Sequence, residues 1–137
     1  MRIIVAPDSY KGSLSAKRAA EIMARAVTDV FAAIPIEMPV ADGGEGTLEA
    51  ILAGGKGRYL EAEVTSPLGK RIPAQWGMLE DGTAVIEMAA AAGLPQVIGE
   101  KNPETTTTYG VGQLILHAVE HGAKHLVLGL GGSEHGV

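Results

Sequence analysis

Two short apolar runs, each leading through a polar loop into a helical pattern, constrain the fold of this chain most strongly. The first is IIVA (residues 3–6), a β-branched run that stops at Pro7, as a buried parallel strand does. After a polar loop, Ser13 or Ser15 can cap a helix over residues 16–31, because a serine hydroxyl accepts a backbone N–H that the first turn leaves unpaired. The stripe expected to face the core comprises Ala19, Met23, Ala26, Val27 and Val30.

The second run, residues 36–41, enters the loop ADGGEGT (residues 41–47). Residues 47–53 then form a short helical pattern that two glycines close. Strand, loop and helix in repeated succession are typical of an open sheet with helices on both faces. We therefore predict an α/β protein of two α/β lobes, the first doubly wound with parallel strands.

The pattern changes after Gly57. Apolar and polar residues alternate over residues 59–64, which is the period of a half-exposed strand. Asp81-Gly82 lies between two apolar runs and predicts a β-hairpin. We accordingly assign residues 1–57 to an incomplete Rossmann-like lobe and residues 58–137 to the start of a second, mixed lobe.

The end of the chain carries one more helix and one more strand. The helix is expected over residues 110–122, with an inward face that comprises Leu114, Ile115, Ala118 and Val119. A last buried strand, residues 125–128, enters the glycine-rich stretch GLGGS (residues 129–133). In such a fold this loop normally leads into another helix, so we expect that the chain stops within a unit.

Composition limits the classes of function. The chain has 137 residues and no cysteine, so it can form neither disulfides nor thiolate metal sites. Its formal net charge of −5 argues against non-specific binding to nucleic acid or to anionic membrane. Its N-terminal segment turns polar too early for a signal peptide, and no apolar run is long enough to span a membrane. We expect a cytoplasmic protein with neither nucleic acid nor membrane as a partner.

Three polar or glycine-rich loops follow the carboxyl ends of predicted strands, where α/β sheets bind ligands. They cover residues 8–13, 42–47 and 129–133. Glycine lets a backbone approach phosphate closely, and acids beside phosphate require a divalent cation. We therefore interpret Asp42 and Glu45 as acids that face Mg²⁺ or a substrate hydroxyl. Lys11 could neutralise a phosphoryl oxygen or a carboxylate.

Each of these features also has a purely structural interpretation. One glycine-and-acid loop is about as often a tight turn with a cap. Thr105 to Thr108 could cap the following helix or meet a polar ligand, and Glu87 could simply begin a helix. The three histidines at 117, 121 and 125 are interpreted as a solvated face. Neither the P-loop nor the dinucleotide fingerprint is present, which weakens a dehydrogenase hypothesis.

Five motifs follow one another in an order that a single family shares. They are APDSYKGSLSA (6–16), ADGGEGT (41–47), VTSPLG (64–69), IEMAAA (86–91) and TTTTYGVG (105–112). Together they resemble the bacterial glycerate kinases of the glycerate 2-kinase type. The resemblance covers nearly the whole chain as the N-terminal portion of that family. It stops after residues 131–133, where the family continues differently from the EHGV of this chain.

The resemblance implies transfer of the γ-phosphoryl group of ATP to D-glycerate, with Mg²⁺, in a cleft between two α/β lobes; 2-phosphoglycerate is the preferred product. Candidate catalytic residues are then Asp8, Lys11, Asp42 and Glu45. Asp42 and Glu45 are also the candidate Mg²⁺ ligands, and which of them acts as base stays open. Candidate substrate- or phosphate-binding residues are Ser9, Ser13, Gly43, Gly44, Glu87, Thr107, Gly110, Gly129, Gly131, Gly132 and Ser133.

Two further expectations accompany this hypothesis. Without the rest of the first lobe, the chain would expose strand edges and apolar surface, so we expect a homo-oligomer or a marginally folded first lobe. For the same reason, this portion alone could be inactive. The alternative hypothesis is a non-catalytic α/β module that binds a phosphorylated metabolite or a protein partner.

Overall fold

A computed structural model describes residues 1–10, 12–93 and 106–131. The first elements in chain order are β1 (Arg2–Val5), α1 (Ala16–Phe31), β2 (Ile34–Glu37) and α2 (Thr47–Gly54). They are followed by β3 (Gly57–Thr65), β4 (Arg71–Leu79), β5 (Thr83–Glu87), α3 (Met88–Ala92), α4 (Tyr109–Glu120) and β6 (His125–Gly129). The α/β class expected from the sequence is confirmed. The described strands form one parallel two-stranded sheet and one mixed four-stranded sheet.

In the first sheet, β1 and β2 pair in parallel, from Arg2 opposite Ile34 to Val5 opposite Glu37. β2 begins and ends earlier than the predicted strand over residues 36–41. Past the paired residues, the N–H of Met38 donates to the Val5 carbonyl and the N–H of Val40 donates to the Pro7 carbonyl. Pro7 has no N–H to return a bond, so the contact there is one-sided.

Helix α1 begins and ends as predicted, and the Ser15 hydroxyl accepts the backbone N–H of Arg18 at 3.2 Å. Its predicted inward stripe was wrong in part, because Met23 and Val30 are 37% and 72% exposed. The buried face is made of alanines, which let the helix lie close to β1 and β2. They are Ala16, Ala19, Ala20 and Ala24.

The second sheet has the strand order β3-β4-β5-β6. β3, β4 and β5 are antiparallel neighbours, whereas β5 and β6 run parallel. The hairpin predicted at Asp81-Gly82 joins β4 to β5, with Gly82 in the left-handed region at φ 84°. The mixed character predicted for the later part of the chain is therefore confirmed.

One hydrophobic core lies between this sheet and helices α3 and α4. Its fully buried large side chains are Trp76, Ile86, Leu114 and Val64. Helix α4 turns Leu114 and Ala118 inward as predicted, but Val119 is 53% exposed, since it lies about 100° around the helix from Ala118.

The prediction that β6 is buried was wrong. Leu126, Val127 and Leu128 are each about two-fifths exposed, from 39% to 45%. The reason lies in the strand order, because β6 pairs with β5 on one side and has no partner strand on the other within the described residues.

The contacts divide the chain into two compact units, Met1–Asp42 and Gly43–Val137. The boundary expected near Gly57 falls inside the second unit, because α2 packs against β4 and β5 of the mixed sheet. No helix in the described part of the chain is both long and apolar enough to cross a membrane.

Candidate functional site

The carboxyl ends of β5 and β6 lie side by side in the second unit. Glu87 ends β5 and pairs in register with Gly129, which ends β6. This is the edge at which parallel strands of α/β sheets present their ligand-binding loops. Two of the predicted site residues are therefore neighbours in the sheet, although 42 positions separate them in the chain.

The glycine loop that follows Asp42 packs directly onto the end of β6. The backbone N–H of Gly131 donates to the carbonyl oxygen of Gly43 at 3.0 Å. A Cβ at Gly129 would lie 2.5 Å from that same oxygen, and a Cβ at Gly131 would lie 2.6 Å from the nitrogen of Gly44. Both residues must be glycine because two backbones meet there.

Two glycines of this loop also adopt a left-handed backbone. Gly43 has φ 98°, and Gly46, the N-cap residue of α2, has φ 93°. Side chains are strained in this region, so the loop could not follow the same path with other residues at these positions. The glycines that prompted a phosphate hypothesis are thus explained first by the path of the chain.

Glu87 has a partner that its sequence context does not reveal. It precedes α3 but makes no side-chain cap for that helix. Instead its Oε1 accepts the backbone N–H of Leu48, in the first turn of α2, at 2.6 Å. The N–H groups of Gly46 and Thr47 also interact with this carboxyl group. An acid that ends a buried strand thus stabilises the start of a helix 39 residues earlier.

Opposing effects act on the pKa of Glu87. Burial of its carboxyl group raises the pKa above the ordinary glutamate value, and the negative charge of Glu45 raises it further. The three N–H groups lower the pKa, because they stabilise the ionised form. The net direction is upward, so the site holds a carboxyl group that takes up a proton more readily than an exposed glutamate.

Thr47 follows the glycine loop and is buried. Its hydroxyl oxygen has no hydrogen-bond partner among the described residues. A buried hydroxyl without a partner is uncommon in native proteins and costs about 1–3 kcal/mol. Thr47 was not among the predicted site residues, and a single threonine after a glycine loop gives little signal in the sequence.

The remaining candidates of the glycine-acid loops have the following positions. Asp42 and Glu45 are exposed, as an acid that meets a ligand would be. In the first unit, Asp8 and Ser13 are exposed, and Asp8 Oδ1 accepts the backbone N–H of Ser9 at 2.6 Å. Lys11, Gly132 and Ser133 lie outside the described residues.

Two candidates near α4 have structural partners instead. The Thr107 hydroxyl accepts the backbone N–H of Tyr109 at 3.1 Å, which agrees with the capping interpretation. Gly110 is buried, and a Cβ there would collide with the carbonyl oxygen of Thr65. Close packing of α4 against β3 explains this glycine, so a role in binding rests on the sequence motif alone.

The interpretation of the histidines as a solvated face was wrong for His117. The indole N–H of the fully buried Trp76 donates to His117 Nδ1 at 3.1 Å, and the two rings meet edge to face. His121 also packs edge to face on Trp76. Within the described residues, no group of three or more histidines or acids is arranged to hold a metal ion.

Comparison with known proteins identifies the family. The profile described as "Glycerate kinase family" matches residues 3–135, which is nearly the whole chain. The chain belongs to the glycerate kinase family. Glycerate 2-kinase of Escherichia coli K12 is 50% identical over 136 residues, and glycerate kinase of Bacillus subtilis 168 is 51% identical over 136 residues.

A solved structure supports the same assignment. The crystal structure of a protein assigned as glycerate kinase 2 from Salmonella typhimurium LT2 superimposes with a TM-score of 0.79 at 46% identity. The chain is covered to 97% in each of these three comparisons, but it spans only 36% of the length of each glycerate kinase relative.

Proposed function

We propose that these residues belong to a kinase that transfers the γ-phosphoryl group of ATP to D-glycerate. The observation that supports this most is about 50% identity, over 97% of the chain, to proteins named glycerate kinase. Because one of these relatives is named glycerate 2-kinase, we expect 2-phosphoglycerate as the product. We place the protein in the cytoplasm and describe its first lobe as doubly wound.

Phosphoryl transfer depends on positioning and charge neutralisation more than on covalent chemistry of the protein. Lys11 would meet an anionic group of glycerate or ATP, and Gly132 and Ser133 would lie along phosphate. Asp8, Ser9 and Ser13 would line the substrate from the first loop. The packing of Gly129 and Gly131 on the Gly43 loop supports a rigid glycine-rich loop at the end of β6.

We propose that Mg²⁺ binds together with ATP. One or two carboxylates are enough for an ion that keeps phosphate and water oxygens as its other ligands. We propose that one of Asp42 and Glu45 binds this ion and that the other accepts the proton of the glycerate hydroxyl.

The test requires the complete product of the reading frame that contains these 137 residues. ADP release with D-glycerate should exceed release with other small hydroxy acids at least tenfold. Asp42→Asn and Lys11→Ala should each lower kcat/KM by a factor on the order of 10²–10⁴. Asp29→Asn, at an exposed position of α1, serves as the matched control and should leave kcat/KM unchanged. No ADP release with D-glycerate would contradict the proposal.

A further inference from the structure

The N-terminus of α2 already carries a negative group. Helix N-termini bind anions because their first N–H groups have no partner within the helix. In α2 the Glu87 carboxyl group takes this place, because its Oε1 accepts the Leu48 N–H at 2.6 Å. The N–H groups of Gly46 and Thr47 also stabilise its ionised form, and the Thr47 N–H donates to the Gly44 carbonyl at 3.2 Å. A phosphate group at this position would have to displace Glu87.

The negative charge near the start of α2 also disfavours a phosphate group at this position. Glu45 lies in the loop that leads into α2, and its charge acts on Glu87. A phosphoryl group would therefore meet two carboxyl groups, and the Leu48 N–H would already be bonded to one of them. Hydroxyl groups and a divalent cation are the partners that such a surface attracts.

The start of α2 is capped from outside the loop that leads into it. Thr47 is buried, but its hydroxyl has no partner among the described residues. The N-cap residue, Gly46, has no side chain with which to cap the helix. Glu87 supplies the cap from β5, while the bond from Gly131 N–H to the Gly43 carbonyl fixes the other end of the loop.

We propose that Glu87 is a positioning residue, which occupies the N-terminus of α2 and holds the loop over residues 43–47 in place. In this position the loop binds the acceptor hydroxyls and the cation and not the phosphates of ATP. The proposal rests on the proposed kinase function. It changes the role expected for Glu87 from substrate contact to support of the loop that carries Glu45.

Steady-state kinetics of the complete protein separate the two substrates. Glu87→Ala should raise KM for D-glycerate at least tenfold and lower kcat, while KM for ATP stays within twofold. Glu87→Gln keeps an acceptor oxygen for the Leu48 N–H and should recover most of the loss. A merely structural role would affect both substrates alike. A rise in KM for ATP as large as that for D-glycerate would overturn the proposal.

A binding measurement that needs no activity completes the test. Glu87→Ala should leave the α2 N–H groups open, so acetate should raise its Tm relative to chloride at equal ionic strength. The wild type and Glu61→Ala, which removes an exposed acid on β3, should show no such rise. If Glu87→Ala does not fold, the acetate series is run on Glu87→Leu together with the kinetics of Glu87→Gln.

The two measurements also distinguish this inference from the proposed function. A protein that phosphorylates D-glycerate but shows no acetate effect in the Glu87 variant overturns the positioning role alone. A protein that shows the acetate effect but does not phosphorylate D-glycerate overturns the kinase function and leaves the closed helix N-terminus intact.

Discussion

Trp76 shows how one buried polar atom determines the role of a histidine. The indole ring is fully buried, and its N–H donates to Nδ1 of His117 on α4. A buried donor without an acceptor destabilises a protein, and His117 supplies the acceptor for this one. The bond also links β4 to α4. At the residue scale, His117 is thus a half-buried partner of a core tryptophan and not part of a solvated surface.

His117→Phe should therefore destabilise the protein by about 1–3 kcal/mol, because it keeps a ring against Trp76 but removes the acceptor of the indole N–H. Urea unfolding followed by the fluorescence of Trp76, the single tryptophan, measures the change. His121→Phe is the comparison, since it also keeps a ring against Trp76 and removes only an exposed hydrogen bond, that between His121 Nδ1 and the carbonyl oxygen of His117. Equal losses in the two variants would contradict a special contribution of the bond from the buried indole.

The raised pKa of Glu87 predicts how the free energy of unfolding changes with pH. Its pKa is raised in the folded protein, chiefly by burial, so the protonated form is favoured by folding. The stability gained in this way is fully present below the ordinary pKa of 4.5 and is lost as the pH rises through the folded pKa.

The free energy of unfolding of the wild type relative to Glu87→Gln should therefore be larger at pH 4.5 than at pH 7.5. The glutamine variant serves as the reference because its side chain does not titrate. Urea unfolding at several pH values checks this direction. The same comparison with Glu61→Gln, at an exposed position, should not change with pH, and a wild type that gains relative stability as the pH rises would contradict the raised pKa.

At the scale of elements, the contact between the Gly43 loop and the end of β6 leaves no room for side chains. Gly131→Ala would bring a Cβ to 2.6 Å from the Gly44 nitrogen and should cost about 1–3 kcal/mol of stability. Gly112→Ala is the control, since nothing lies within 4 Å of a Cβ there, and alanine in a helix should gain up to about 1 kcal/mol. Urea unfolding of both variants measures these changes. Equal stability of the two would argue against the close backbone contact.

The elements also show what the sequence could and could not predict. Helix α1 has the predicted bounds, because a serine cap and an apolar period are local signals. The buried face of that helix and the exposure of β6 depend on neighbouring strands, which no local pattern specifies. For the candidate site, the loops were predicted from their glycines and acids. The hydrogen bond from the Leu48 N–H to Glu87 joins residues 39 positions apart. Only the tertiary structure reveals it.

At the scale of the whole molecule, the described chain exposes much apolar surface. On β6, Leu126, Val127 and Leu128 are exposed at a strand edge that has no partner within residues 1–10, 12–93 and 106–131. The first unit contains a sheet of only two four-residue strands, and sheets of this size are marginally stable by themselves. The second unit contains the large core around Trp76 and Leu114.

We therefore expect the isolated 137-residue chain to self-associate through the open edge of β6, because exposed apolar edge strands pair readily with other chains. Val127→Lys adds a charge at that edge and should shift the mass from light scattering toward the monomer. Gln75→Lys adds the same charge at an exposed position of β4 and should not. Hydrogen exchange should also be faster in Met1–Asp42 than in the core strands of the second unit. A monodisperse monomer whose two units are equally protected would show that the exposed edge and the small first sheet are stable without a further partner.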